Sequence, residues 1–150
     1  MIGWTGYLLD EALVHIRTRL AAAERPSADA RGGLLPYFAE SLRHAEHIAS
    51  IYVGYQSGEL FQVRALLEDQ ALRRQLAAPA AARFQVRSIT GGRGGARERT
   101  RFYDGQLRPL GPARAAETDF DPRTRIWYQK AMGSESQIGS DFYRFASTGE

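Results

Sequence analysis

Between Gly6 and Glu24 the apolar residues Leu9, Leu13, Ile16, Leu20 and Ala23 recur one helical turn apart, with Asp10, Arg17 and Arg19 off the stripe. That spacing predicts an amphipathic helix over 6–24. Arg25-Pro26 ends it, and 26–33, with breakers and no periodicity, reads as a connection. A second helix is expected over 36–50, with Phe38, Leu42, Ala45 and Ala49 turned inward. At Ile51-Tyr-Val-Gly-Tyr55 the composition becomes strand-like, Ser57-Gly58 is a turn, and Glu59-Leu-Phe-Gln-Val-Arg64 alternates. Residues 51–66 therefore read as a hairpin, and 67–77 as helix again.

Further along, Phe84, Val86 and Ser88 alternate against Arg83, Gln85 and Arg87, a period of two that predicts a half-buried strand. Gly91-Gly-Arg-Gly-Gly95 must be loop, 97–103 returns as a partner strand, and Asp104-Gly105 suits a tight turn. Asp121-Pro122 has the chemistry of a helix start, and that helix should carry Tyr128 to Met132 before Gly133 stops it. Residues 138–147 are expected to form a last strand. No internal repeat organises the chain, and the element order predicts an α+β domain built on an antiparallel sheet.

The 150 residues, 43% hydrophobic and 25% charged, suffice for one domain with an ordinary core. Lys130 is the single lysine among the 20 basic residues, so the net charge of +3 reflects arginine usage and does not by itself indicate a polyanionic partner. The absence of cysteine excludes disulfides, cysteine-ligated metals and thiol catalysis. Asp10 and Glu11 interrupt the apolar start, so it is not a signal peptide, and no window reaches the ~18 apolar residues of a membrane span.

Candidate chemistry is sparse. His44 and His47 stand three apart with Glu40 a turn before His44, but His15 lies on another element and no third strong ligand is near. They read as a solvated helix face, and no metal or cofactor is assigned. The glycine loop 91–95 lacks the Lys-Ser/Thr of a phosphate cradle. Arg83, Arg87, Arg93, Arg97, Arg99, Arg101 and Arg108, interleaved with Phe84, Phe102 and Tyr103, have the composition of a nucleic-acid-facing hairpin, although alternating arginines are what the wet face of an amphipathic sheet shows. A soluble arginine-rich nucleic-acid-binding domain is accordingly the alternative reading. No nucleophile elbow, His-Glu-x-x-His pair or carboxylate dyad is present, so no catalytic residue is assigned.

The most specific stretch is Asp119-Phe-Asp-Pro-Arg-Thr-Arg-Ile-Trp-Tyr128. It resembles the Asp-Pro-Arg-x-Arg-Pro-Trp-Tyr signature of Cache domains, the extracytoplasmic PAS-like sensor modules of bacterial chemoreceptors, histidine kinases and nucleotide cyclases. Ile51-Tyr-Val-Gly-Tyr-Gln-Ser-Gly-Glu-Leu-Phe61 is similar to the family's first hairpin, Phe102-Tyr-Asp104 to the strand ahead of the signature, and Ser140-Asp-Phe-Tyr-Arg-Phe-Ala-Ser-Thr-Gly-Glu150 to the strand after it. The resemblance covers about 34–150. It departs from the signature at Phe120, where Tyr is usual, and at Ile126, where Pro is usual.

In the amino-acid-binding branch of the family, an Arg-x-Trp-Tyr element, a later Tyr and an Asp two beyond it hold the ligand. Arg125, Trp127, Tyr128 and Tyr143 match, while Phe145 stands at the Asp position. The resemblance thus implies a ligand site of Arg125, Trp127, Tyr128, Tyr143, Phe145 and Phe120. It would suit an organic acid, since a guanidinium fork binds a carboxylate while nothing at 145 answers an ammonium. On a regular helix Trp127 points about 200° away from Arg125. The two could share a pocket only if the chain stays non-helical through about 126. Otherwise the signature serves structure, with Arg125 paired to a carboxylate such as Asp119 or Asp121 and the aromatics in the core.

The resemblance implies a membrane-distal Cache module over 34–150, preceded by a dimerisation and signalling helix and its connection over 1–33. Its PAS-like sheet would have flanking helices and would lack its last strand, leaving the strand at 51–56 with an open edge. The implied function is extracytoplasmic (periplasmic) sensing of a small molecule by a homodimeric receptor of the inner membrane, anchored through segments the chain lacks. Catalysis would sit in an output domain elsewhere, a cyclase or a kinase.

Overall fold

A computed structural model of the chain describes residues 2–4, 28–45, 48–91 and 95–132. The expected helix over 6–24 and strand over 138–147 lie outside them, as do Tyr143 and Phe145. The described elements are β1 (Ile2–Trp4), α1 (Ala28–His44), β2 (Ser50–Gly54), β3 (Leu60–Ala65), α2 (Gln70–Gln75), β4 (Phe84–Thr90), β5 (Arg97–Tyr103), β6 (Pro109–Glu117), a 3-10 turn (Pro122–Thr124) and α3 (Ile126–Met132). The class is α+β, as the alternation of periods predicts.

All six strands form one antiparallel sheet in the order β1-β2-β3-β4-β5-β6, each beside its neighbour in sequence. The edge of β2 expected to stay open is paired with β1, Ile2 opposite Val53 and Trp4 opposite Ile51. Residues 2–4 thus belong to the same sheet as the described strands that follow. The boundary expected at 33/34 falls inside α1.

That helix begins earlier and ends earlier than its pattern suggests. Gly33 and Pro36 lie within it because Leu34, Phe38, Ala39 and Leu42 are buried against the sheet. Such packing outweighs the roughly 1 kcal/mol a helical glycine costs. At its end Ile48 N–H donates to the Ala45 carbonyl (2.9 Å), turning the chain into β2 and leaving Ala49 exposed rather than inward. The Asp69 carboxylate caps α2 by accepting from Leu72 N–H at 2.9 Å. The strand β6 is absent from the sequence reading, since Pro109, Gly111 and Pro112 argue against it. An edge tolerates proline, and Gly111 takes φ +74° where the pairing with β5 bulges between Thr100 and Phe102.

The two faces of the sheet differ. Under α1 lie Ile51, Val53, Phe61, Val63, Ala65, Phe84 and Val86 with Phe38 and Leu42, and the Phe38 and Phe61 ring centroids are 5.9 Å apart. The opposite face carries an apolar group at each end. Leu66, Ala82 and Phe102 lie beside Leu72 and Leu76 of the α2 region, while Tyr52, Leu60 and Ile89 lie beside Trp127 and Tyr128 of α3. Between these two groups the face is polar.

Candidate functional site

The signature segment makes one end of this second face, and its local chemistry explains how. Asp121 is extended (φ −118°, ψ 115°), and its carboxylate accepts from Arg123 N–H at 2.9 Å, starting the 3-10 turn with Pro122 as its first residue. Arg123 Nε and Nη2 also donate to that carboxylate, at 2.9 and 2.6 Å, while Nη1 donates to the Gln56 carbonyl at 3.2 Å. Gln56 belongs to the β2–β3 turn, so one guanidinium ties the signature to the first hairpin. Gly58 in that turn has φ +88°, and a Cβ there would stand 3.0 Å from Arg123 Nη2.

Arg125 is extended (φ −84°, ψ 142°), so α3 starts only at Ile126. Trp127 and Tyr128 are nearly buried, and a Cβ placed on Gly54 would be 2.7 Å from Trp127, 3.1 Å from Tyr128 and 3.2 Å from Pro122. Only glycine admits all three. Trp127 meets Tyr52 edge-on at 4.8 Å and Tyr128 at 5.7 Å, geometries that aromatic quadrupoles favour. Burial pushes the Tyr128 phenol pKa up, Arg123 opposing and Asp121 reinforcing the shift, so this hydroxyl stays protonated.

Of the expected ligand residues, Phe120 packs against the cluster of Tyr52, Trp127 and Tyr128 and Arg125 lies over Phe120, while Tyr143 and Phe145 lie outside the described residues. Trp127 and Tyr128 stack over β2. Arg125 lies with its guanidinium 5.3 Å from the Phe120 ring, and Arg87 of β4 stands over the same ring at 4.7 Å. The Asp121 carboxylate holds Arg123.

The sequence reading missed the polar residues between the apolar ends. Ser50, Gln62, Arg64 and Gln85 are 0%, 6%, 4% and 9% exposed, although Ser50 was expected to end a helix and Gln85 to lie on the polar side of a half-buried strand. Gln62 Nε2 donates to Ser50 Oγ at 3.3 Å. Arg87 Nη2 pairs with Glu98 Oε2 at 2.7 Å, with 12% and 27% of the two side chains exposed. A signal was available, because Phe-Gln-Val-Arg occurs twice, at 61–64 and 84–87. The two copies pair antiparallel with Val63 opposite Val86, so Gln62 faces Arg87 and Arg64 faces Gln85. The register places two arginines and two glutamines on one face of the sheet.

The other candidates are more ordinary. His44 Nε2 lies 2.9 Å from Glu40 Oε1 on exposed α1, and no metal-holding group of three or more acidic or histidine residues occurs among the described residues. Arg83 pairs with Glu68, Arg108 with Asp104, and Arg101 Nε donates to the Gly111 carbonyl, so much of the arginine-rich stretch is engaged within the chain. No helix among the described residues is long and apolar enough to cross a membrane.

No family model matches the chain, and no solved structure matches it. Over 111 residues it is 36% identical to Adenylate cyclase 1 of Rhizobium meliloti (strain 1021). The match covers 73% of this chain but only 16% of that protein, so the chain spans less than a fifth of the curated relative. It is related to one segment of a protein that bears the name of a cyclase.

Proposed function

We propose that this chain is the Cache-like, PAS-like sensing region of a membrane-bound receptor of the nucleotide cyclase kind. It binds a small organic acid outside the cytoplasm and passes the signal, within a homodimer, through its N-terminal segment to an output domain. The observation that carries this reading is the buried polar strip of Ser50, Gln62, Arg64 and Gln85 between two apolar ends of one sheet face. Ligand pockets combine apolar walls with a few buried polar groups in this way. A purely structural sheet would fill that strip with aliphatic side chains, as the face under α1 does. The Asp-Pro-Arg signature supports the reading by forming one wall, and the relationship to a segment of an adenylate cyclase supports the output. The arginine-rich stretch supports nucleic-acid binding less well, because four of its arginines, Arg83, Arg87, Arg101 and Arg108, are engaged by Glu68, Glu98, the Gly111 carbonyl and Asp104.

Calorimetry against a panel of free amino acids and a panel of the corresponding deaminated acids tests the proposal. Binding of deaminated acids, with little or none of the amino acids, is the expected outcome. If no member of either panel binds, the sensing reading falls. A segment swap into the Rhizobium meliloti cyclase, with cyclic AMP as the readout, would then test the output directly.

A further inference from the structure

We infer that the outer edge of β6 receives an extended acidic segment of another polypeptide. Backbone pairing to Ala113, Ala115 and Glu117 holds it, and Arg99 and Arg101 of β5 reach over the small side chains of β6 to its carboxylates. The inference is independent of the sensing reading, because this surface lies on the sheet face that carries α1 and not on the face of the buried polar strip.

Register sets the geometry. Arg97, Arg99 and Arg101 stand opposite Thr90, Ser88 and Val86, and Val86 belongs to the core under α1, so the three arginines share that face. The buried strand residues under α1 come from β2, β3 and β4, and the arginine row takes their place on β5. Alternate residues of a strand are about 6.8 Å apart, which puts three cations in line. Arg97 and Arg99 are exposed, and neither guanidinium has an ion pair among the described residues. Arg101 is half-exposed, with its Nε on the Gly111 carbonyl at 3.2 Å. Of the residues registered against the row on β4 and β6, Glu117 is the one acid.

The strand beside this row is the last of the sheet. Thr118 N–H donates to the Ala96 carbonyl at 3.0 Å. By the alternation of an antiparallel ladder, Ala116 and Arg114 then turn their backbone groups to β5, while Ala113, Ala115 and Glu117 turn theirs outward. Edges are commonly blunted by proline, bulges or charge. Pro109, Gly111 and Pro112 blunt the first half of β6. Over 113–117 the row side offers only two alanines and Glu117, because Arg114 is turned to the other face, over Phe102, and donates to the Leu76 and Ala77 carbonyls. A strand added there lies two spacings, about 9.6 Å, from β5. The methyl of Ala115 leaves that gap open, so Arg99 and a carboxylate opposite Ala115 can close it from the two sides.

The same register specifies the partner. Carboxylates belong opposite Ala115 and Ala113, where guanidinium forks match their two oxygens, and a cation belongs opposite Glu117. An antiparallel segment therefore reads Lys-x-Glu-x-Glu, a case of strand addition with side-chain specificity. A second copy fits less well, since pairing β6 with itself brings a second arginine row to the same face. Single-stranded nucleic acid stacks its bases on aromatic rings. This face offers none beside the row, because Phe102 packs on the opposite face and Tyr103 packs against the core under α1.

The test titrates the peptide acetyl-Thr-Lys-Thr-Glu-Thr-Glu-Thr-amide into the full chain at physiological salt and follows nitrogen-15 amide spectra. The Ala115 and Glu117 amide signals should move downfield as they gain acceptors, with Arg114 and Ala116 moving less. Arg99→Glu, an exposed substitution, should weaken the peptide about tenfold or more, and a peptide with Lys in place of its first Glu should recover the loss. Methylating the backbone nitrogens of the lysine and both glutamates should abolish binding, because those N–H groups face β6. Peptide that leaves the Ala115 and Glu117 signals in place overturns the inference, as does undiminished binding of the methylated peptide. An oligothymidylate that binds more tightly than the peptide assigns the row to nucleic acid instead. Movement of the same two signals with protein concentration alone assigns the edge to a second copy, and either result overturns the acidic partner.

Discussion

Asp104 and Asp121 use the same chemistry in two places and to different ends. At the β5–β6 turn the Asp104 carboxylate accepts from Gln106 N–H and Arg108 N–H, each at 2.9 Å, and from Arg108 Nε at 2.7 Å. At the signature the Asp121 carboxylate likewise takes a backbone N–H and the guanidinium of a following arginine. The Arg108 side chain is 73% exposed and beyond Asp104 reaches Gln106, two residues away, whereas Arg123 is 26% exposed and beyond Asp121 reaches the Gln56 carbonyl, 67 residues away. One clasp closes a hairpin. The other joins two distant parts of the chain, and so fixes where Trp127 and Tyr128 meet the sheet. An Asp-x-Arg motif is thus a local turn or a tertiary staple according to what the far end of the arginine meets.

The largest expected effect comes from the surface against which the second clasp holds its aromatics. Gly54→Val would drive a branched side chain into Trp127, Tyr128 and Pro122, where even a Cβ lies 2.7 Å from the indole. Overpacking of this kind costs typically 1–3 kcal/mol, and we expect the upper half of that range in urea unfolding. In a Trp4→Phe background, which leaves Trp127 as the only tryptophan of the two, emission should shift to the red as the ring leaves its buried site. Unchanged stability and emission would mean that the signature does not pack on β2.

Next in size is the contrast between the clasps themselves. Asp121→Ala removes a cap, a loss of about 0.5–2 kcal/mol, and also frees the arginine that holds the first hairpin. Asp104→Ala removes a turn whose partners are its near neighbours. The first substitution should destabilise more in parallel urea titrations and shift Trp127 emission, and the second should leave emission unchanged. If Asp104→Ala proves the more damaging of the two, the staple is worth no more than a local cap.

These residues also show what could be read in the sequence. Asp121-Pro122 announced a helix start because capping is a local rule that residue types carry with them. The strands at 60–65 and 84–90 were legible through their period, that at 50–54 through its strand-like composition, and that at 97–103 as the partner returning after a glycine loop. Alternation does not reveal whether its polar side is wet. It set Gln85 on the polar side of its strand, yet Gln85 is buried, as is Arg64, because what lies over a sheet is decided by tertiary packing. The same non-locality hid the start of α1, where packing of Leu34 and Phe38 overrides Gly33, and hid β6, where an edge position excuses two prolines. A motif gives residue identities and not directions. With Arg125 extended and the helix beginning one residue later, its guanidinium turns to Phe120 while Trp127 turns to β2.

The smallest expected effect separates the clasps by pH. The Arg108 backbone N–H holds the Asp104 carboxyl below the ordinary aspartate range, the Arg108 guanidinium and Gln106 N–H adding to it and burial opposing. A carboxyl whose pKa is lower folded than unfolded contributes stability that is fully present above the unfolded value, about 4. That contribution is lost as pH falls through the folded pKa. Asp104→Asn removes this charge and should leave the two backbone bonds largely in place, since the amide oxygen can still accept them. The stability gap between the original chain and Asp104→Asn should therefore hold steady from pH 7 to pH 5 and narrow below about pH 4, where the original carboxyl also takes up its proton. Urea midpoints at half-unit steps between pH 3 and pH 7 would read it. A gap that persists unchanged to pH 3 would show that the turn depends on the shape of Asp104 and not on its charge, and the two clasps would then differ in chemistry as well as in reach.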